Sequence, residues 1–153
     1  MMRAISRKML RSLCLLGLGY IGLHLGYSHS AFADMGCSNA TLQGTYLFAY
    51  SDFQIVDGQQ VPFVFAGQDR INGDGTLTGV NSFSVNGAIS KNVTDTGTYT
   101  INPDCTGTST TVDDRTGETV HFDLFIGCDG DAVSFVQTDP GFVAASIEQR
   151  VGR

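Results

Sequence analysis

From about residue 44 onward the chain alternates apolar and polar positions in short runs, with aromatic and β-branched residues on one parity and Gly, Thr, Asn and Asp between the runs. A period of two marks strands that bury one face, and no stretch here carries a helical period over the length of an ordinary helix. Eight strands are predicted: Gly44–Phe53, Val61–Ile71, Thr76–Val85, Val93–Ile101, Thr106–Val112, Thr119–Gly127, Ala132–Thr138 and Phe142–Val151. Between them stand Asn72-Gly73-Asp74-Gly75, Asn86-Gly87, Asn102-Pro103-Asp104, Asp129-Gly130 and Asp139-Pro140-Gly141. Such residues supply positive φ or a preset proline φ, so consecutive strands pair antiparallel. A meander of this kind closes on itself as an all-β, up-and-down, eight-stranded barrel; a two-sheet sandwich is the alternative.

The alternation assigns faces. Tyr46, Phe48 and Tyr50 share one side of the first strand, Val61, Phe63 and Phe65 one side of the second, and Val120, Phe122, Leu124 and Ile126 one side of the sixth. These are the core candidates. On the opposite parity lie His121, Asp123 and Phe125, and Gln68 and Arg70 with Val64 and Ala66, so the second faces are mixed. A transmembrane barrel would need an unbroken outward apolar band, and the third to fifth runs carry Thr, Ser, Asn and Gly on both faces.

The first 33 residues differ from all that follows. Arg3, Arg7, Lys8 and Arg11 precede an apolar run, Leu13 to Gly26, and Ala31-Phe32-Ala33 offers small residues to a signal peptidase. The expected organisation is a cleaved export signal over residues 1–33 and one β domain over 34–153. The apolar run contains His24 and four glycines and is shorter than the roughly 20 residues a spanning helix needs. A lipoprotein cut before Cys37 is disfavoured by Asp34, where an apolar residue is wanted.

Removing the leader sharpens the charge. All 15 acidic residues lie after Ala33 against five of the nine basic ones, a net charge of −10 with histidine neutral. That balance argues against nucleic acid or anionic lipid as partner. Three cysteines remain, Cys37, Cys105 and Cys128, and export permits a disulfide among them while leaving one thiol over.

Candidate chemistry is sparse. His121 is the one histidine after the leader, and Asp123 shares its strand face, a pairing that suits a general base and its orienter or simply a solvent-facing pair. Asp69, Arg70, Gln68 and Gln137 either complete a polar cluster inside the barrel or form its wet outside. The acidic turns lack a calcium loop with its terminal Glu, the His and Cys count is too low for zinc, and no nucleophile elbow or phosphate loop is present, so neither metal nor cofactor is expected. Ten Phe and no Trp mean either a filled aromatic core or an apolar pocket.

Three strings resemble a family of small exported bacterial proteins: Cys37 to Leu42 with Gly44-Thr45-Tyr46, Gly97 to Thr108, and Phe135 to Gly141. That family is similar in layout to barrels of the allene oxide cyclase and calycin type. The resemblance implies the barrel fold and a Cys37–Cys105 disulfide, with Cys128 outside it, and carries no catalytic assignment. The expected function is a non-catalytic exported barrel binding a small apolar molecule through Phe48, Phe63, Phe65, Phe122 and Phe135. One alternative is an enzyme of cyclase or isomerase type, which needs His121, Asp123 or Arg70 pointing into the cavity. The other is an envelope or adhesion module, which would show an apolar patch or an open sheet edge.

Overall fold

The computed structural model describes residues 36–153; the leader and its boundary after Ala33 lie outside the described residues. A short 3-10 turn, Asn39–Thr41, leads into β1 (Gln43–Val56), β2 (Gln59–Asn72), β3 (Thr76–Val85), β4 (Ala88–Ile101) and β5 (Thr106–Asp113). Then come β6 (Thr119–Ile126), β7 (Ala132–Gln137), the two-residue β8 (Phe142–Val143) and β9 (Ala145–Gly152). All pairings are antiparallel, each long strand pairs with its neighbours in sequence, and β1 pairs with both β2 and β9. The sheet is therefore one closed eight-stranded up-and-down barrel plus one extra short strand, and the sandwich alternative is excluded. Closure gives every long strand two partners and removes the free edges.

Most bounds lie within three residues of those expected, β1 running on to Val56 and β2 starting at Gln59; two departures are larger, each for a local reason. β4 begins at Ala88 rather than Val93, because a bulge breaks its alternation: Phe83 pairs with Ser90 and Asn81 with Val93, so one extra residue of β4 stands in the ladder. Asn92 takes the left-handed φ of +51° there, and its N–H donates to Ser82 Oγ at 3.2 Å. The eighth run is broken at Ala144, whose carbonyl accepts from the Gln137 N–H at 3.0 Å. The part before the break, β8, pairs with β1 at Phe53 and Gln54 instead of continuing along β7.

The barrel is closed at its base and hollow above, with Leu42, Ile71, Leu77 and Tyr99 forming the floor of the cavity. At the base, Leu42, Tyr46, Ile71, Leu77, Tyr99 and Ile126 join one buried cluster. The segment before β1 folds under it as a plug. Asn39 Oδ1 accepts from the Ile101 N–H at 2.8 Å, and Tyr99 Oη lies 3.0 Å from the carbonyls of Asn39 and Leu42. The Cys37–Cys105 disulfide ties this plug to the β4–β5 turn, with 5.1 Å between the Cα atoms.

Two of the base turns use the same wiring. In 72–76 and again in 102–106, the Asn side chain donates to the Thr hydroxyl, and the Thr N–H and hydroxyl both donate to the Asp carboxylate. Those bonds, the Thr hydroxyl first, hold Asp74 and Asp104 below the usual carboxylate range. The fourth position needs a left-handed backbone in both: Gly75 has φ +99° and Cys105 has φ +64°. A non-glycine residue there carries strain, and Cys105 holds the position while bonded to Cys37.

Arg150 locks the last strand to the base. Its side chain is 8% exposed and donates to Tyr46 Oη, the Thr41 carbonyl and the Gly130 carbonyl, with Asp131 paired at 3.0 Å. Tyr46 Oη in turn donates to the Gly130 carbonyl at 2.6 Å. Arg150→Met keeps the aliphatic stem but leaves the Thr41 carbonyl without this donor. A loss of about 2–3 kcal/mol is expected from charge-assisted bonds of this kind, read as a lower urea midpoint with unchanged m-value.

Candidate functional site

The inward parity of the upper strands places aromatic rings around a cavity of about 430 Å³. Phe65 is central: it stacks on Phe83 and Tyr50 at 5.4 Å each and on Phe48 at 5.7 Å. Tyr50 meets Phe63 and Phe135 edge-on, Phe135 meets Phe122 the same way, and Phe63 meets Phe142 at the mouth. The wall is thus a chain of contacting rings. Space for it comes from inward glycines. A Cβ at Gly67 would fall 2.7 Å from the end of the Phe48 ring, closer than real contacts allow.

One face of this cavity is acidic. In the ladder Asp69 of β2 is opposite Gly79 of β3, which is opposite Asp95 of β4. A side chain at position 79 would collide with the carboxyl oxygens of both, so the glycine lets the two acids lean over it. One inward step along β3, Asn81 donates from Nδ2 to Asp95 Oδ2 at 2.6 Å. Across β1 from Asp69, Glu148 of β9 shares a hydrogen bond with it. Asp69, Asn81, Asp95 and Glu148 all line the cavity, and no Lys, Arg or His does among the described residues.

Burial without a cation governs their protonation. Burial holds Asp69 well above the ordinary carboxylate range, reinforced by the charges of Glu148 and Asp95. Glu148 is pushed up to about 7, chiefly by burial and also by Asp95, against the hydrogen bond from Asp69. Asp95 is raised by burial, only partly offset by Asn81. Burial and the surrounding carboxylates also raise the Tyr50 phenol. Two carboxyls in hydrogen-bond contact hold a proton between them, so near neutrality the pair both donates and accepts.

The residues singled out from the sequence divide cleanly. Phe48, Phe63, Phe65, Phe122 and Phe135 all line the cavity, as do Asp69 and Gln137. His121, Asp123, Arg70 and Gln68 are exposed on the outer face, opposite in parity to Phe122, Leu124 and Asp69. His121 and Asp123 face solvent, one of the two readings of that pair, and His121 is bonded elsewhere: its Nδ1 contacts Asp139 Oδ1 at 2.7 Å and its backbone N–H donates to Asp139 Oδ2 at 2.8 Å. Asp139 comes from the β7–β8 turn, and a turn carboxylate reaches an outward histidine more easily than a neighbour two residues along an extended strand. His121, its ring and backbone together, and Gln137 outweigh the partial burial of Asp139 and keep that carboxyl low. Arg70 reaches only Thr45 Oγ1, at 3.4 Å. An enzyme built on His121, Asp123 or Arg70 is therefore not the arrangement found.

Asp95, Glu148 and Asn81 escaped the sequence reading. A signal existed for Asp95, which shares parity with Val93 and Tyr99 through Gly97. None existed for Glu148, whose face of β9 carries Ser146, Arg150 and Gly152. Among the described residues no group of three or more His, Cys, Asp or Glu is arranged to hold a metal ion. Compared with family models, curated proteins and solved structures, the chain matches none.

Proposed function

We propose that this chain is an exported, non-catalytic binding barrel that holds a small, largely apolar molecule in its upper half. The cavity carries the reading. About 430 Å³ lined by contacting aromatic rings lies within the range of small-molecule sites, and the plugged base leaves the mouth as the way in. The Cys37–Cys105 disulfide supports export to an oxidising compartment. The family resemblance and the export leader belong to this proposal.

Native mass spectrometry of the protein purified from its own source tests it. A retained small-molecule mass is expected, and Phe65→Ala, which removes the ring at the centre of the wall, should weaken rebinding at least tenfold. A bare mass together with no binding of neutral apolar probes would overturn the reading.

A second reading is favoured by the Asp69–Glu148 pair. A carboxyl titrating near 7 beside a second carboxyl that burial holds well above its ordinary range, in an aromatic cavity, suits proton transfer of the isomerase kind. A bound molecule returned chemically altered by the parent and unaltered by Glu148→Gln would place this reading ahead of simple binding.

A further inference from the structure

The geometry points to a ligand class: a small amphipathic amine whose ammonium group lies among Asp69, Asp95, Glu148 and Asn81 while its apolar body packs on the rings. This inference rests on the cavity being a binding site and specifies what it binds.

The polar wall asks for donors. Asn81 is 5% exposed and its Oδ1 is buried with no hydrogen-bond partner. The amide is oriented with Nδ2 on Asp95. A carboxylate accepts and cannot donate, so Nδ2 belongs there and Oδ1 is left facing the cavity as an acceptor. Buried acceptors of this kind are rare in native proteins and mark a place where a donor belongs. The second buried amide is turned the same way: Gln137 donates from Nε2 to Asp139 at 3.2 Å.

No cation among the described residues answers these acceptors. Arg150 is two residues from Glu148 on the same strand face, but its guanidinium is engaged at the base by Tyr46, Thr41, Gly130 and Asp131. Asp113 and Glu118 add negative charge to the lining on other strands and turns. A carboxylate or phosphate ligand would enter against all of these charges. An ammonium carries three donors, matches acceptors supplied from β2, β3, β4 and β9, and is attracted to aromatic faces as well. The strongly acidic body draws cations toward the barrel before contact.

The test compares shape-matched probes on protein expressed as the full chain. 2-Phenylethylamine and octylamine are titrated by calorimetry against 2-phenylethanol and octanol at pH 8, with parent, Asp69→Asn, Glu148→Gln and Phe65→Ala. Each amine should bind at least tenfold tighter than its alcohol. The two neutral acid variants, isosteric with the parent and checked for folding by thermal melts, should erase that preference while keeping alcohol binding. Phe65→Ala should weaken both probes together. Equal binding of amine and alcohol, or a preference that survives both acid substitutions, overturns the amine inference while leaving the cavity reading intact. No binding of any probe overturns both.

Discussion

At pH 8 the Glu148→Gln variant is expected to be more stable than the parent by about 3 kcal/mol, and at pH 4.5 the two should unfold alike. The sign follows from the proton. Glu148 titrates near 7 in the fold against 4.5 in the unfolded chain, because it is buried among apolar rings and faces Asp95. A carboxyl whose folded pKa is raised contributes stability that is fully present below the unfolded value and is lost as pH climbs to the folded one. The parent should therefore weaken steadily from about pH 4.5 to about pH 7, and Asp69 and Asp95, also raised, act in the same direction. Glutamine keeps the volume, carries no charge and removes one proton from that slope. Asp74, Asp104 and Asp139, held low by turn and histidine bonds, work oppositely and erode stability in stronger acid. A stability maximum near pH 5 results. Urea midpoints at half-unit pH steps measure all of this, and a parent curve flat between pH 5 and 8 would contradict it.

Breaking the Cys37–Cys105 bond should cost roughly 4 kcal/mol in the chain-entropy account, since it closes a loop 68 residues long. The loss should concentrate at the base, because the bond holds the plug that carries Asn39 and Leu42 against Ile101 and Tyr99. The replacement at position 105 matters. Its φ of +64° is the conformation its sibling turn gives to Gly75, so Cys37→Ala with Cys105→Gly should be about 1 kcal/mol more stable than Cys37→Ala with Cys105→Ala. Hydrogen exchange of the Ile101 and Leu42 amides locates the effect, and urea titration with and without reductant sizes it. A change below about 1 kcal/mol on reduction would show that the plug holds without its staple.

Much of this architecture was legible from residue parity and turn chemistry. Phe63 and Phe65 announced the inward face of β2, but Asp69, Arg70, Gln68 and Gln137 were left together as an inner cluster or a wet outside, and the closed barrel separates them, Asp69 and Gln137 lining the cavity and Gln68 and Arg70 exposed. The start of β4 was hidden because its bulge at Lys91 and Asn92 shifts the alternation by one residue, and a period-two pattern has no way to show an inserted residue. The break at Ala144 was hidden for a similar reason: Phe142 and Val143 look like strand, and only pairing with β1 separates them from β9. Glu148 gave no sign, because a face shared with serine and arginine reads as wet.

By itself the sequence determined the antiparallel meander, the turn positions, the aromatic inward face and the acidity of the body, since each is a local property of residue type and spacing. Tertiary structure alone decided that β1 meets β9, and with that closure that the rings surround space instead of filling it. It decided too that Asp69, Asp95 and Glu148, 26 and 53 residues apart in turn, converge on one wall. The physical reason is that burial and charge coupling depend on strand neighbours around the ring, and a glycine at position 79 or an arginine drawn down to Tyr46 acquires its meaning only when those neighbours are in place.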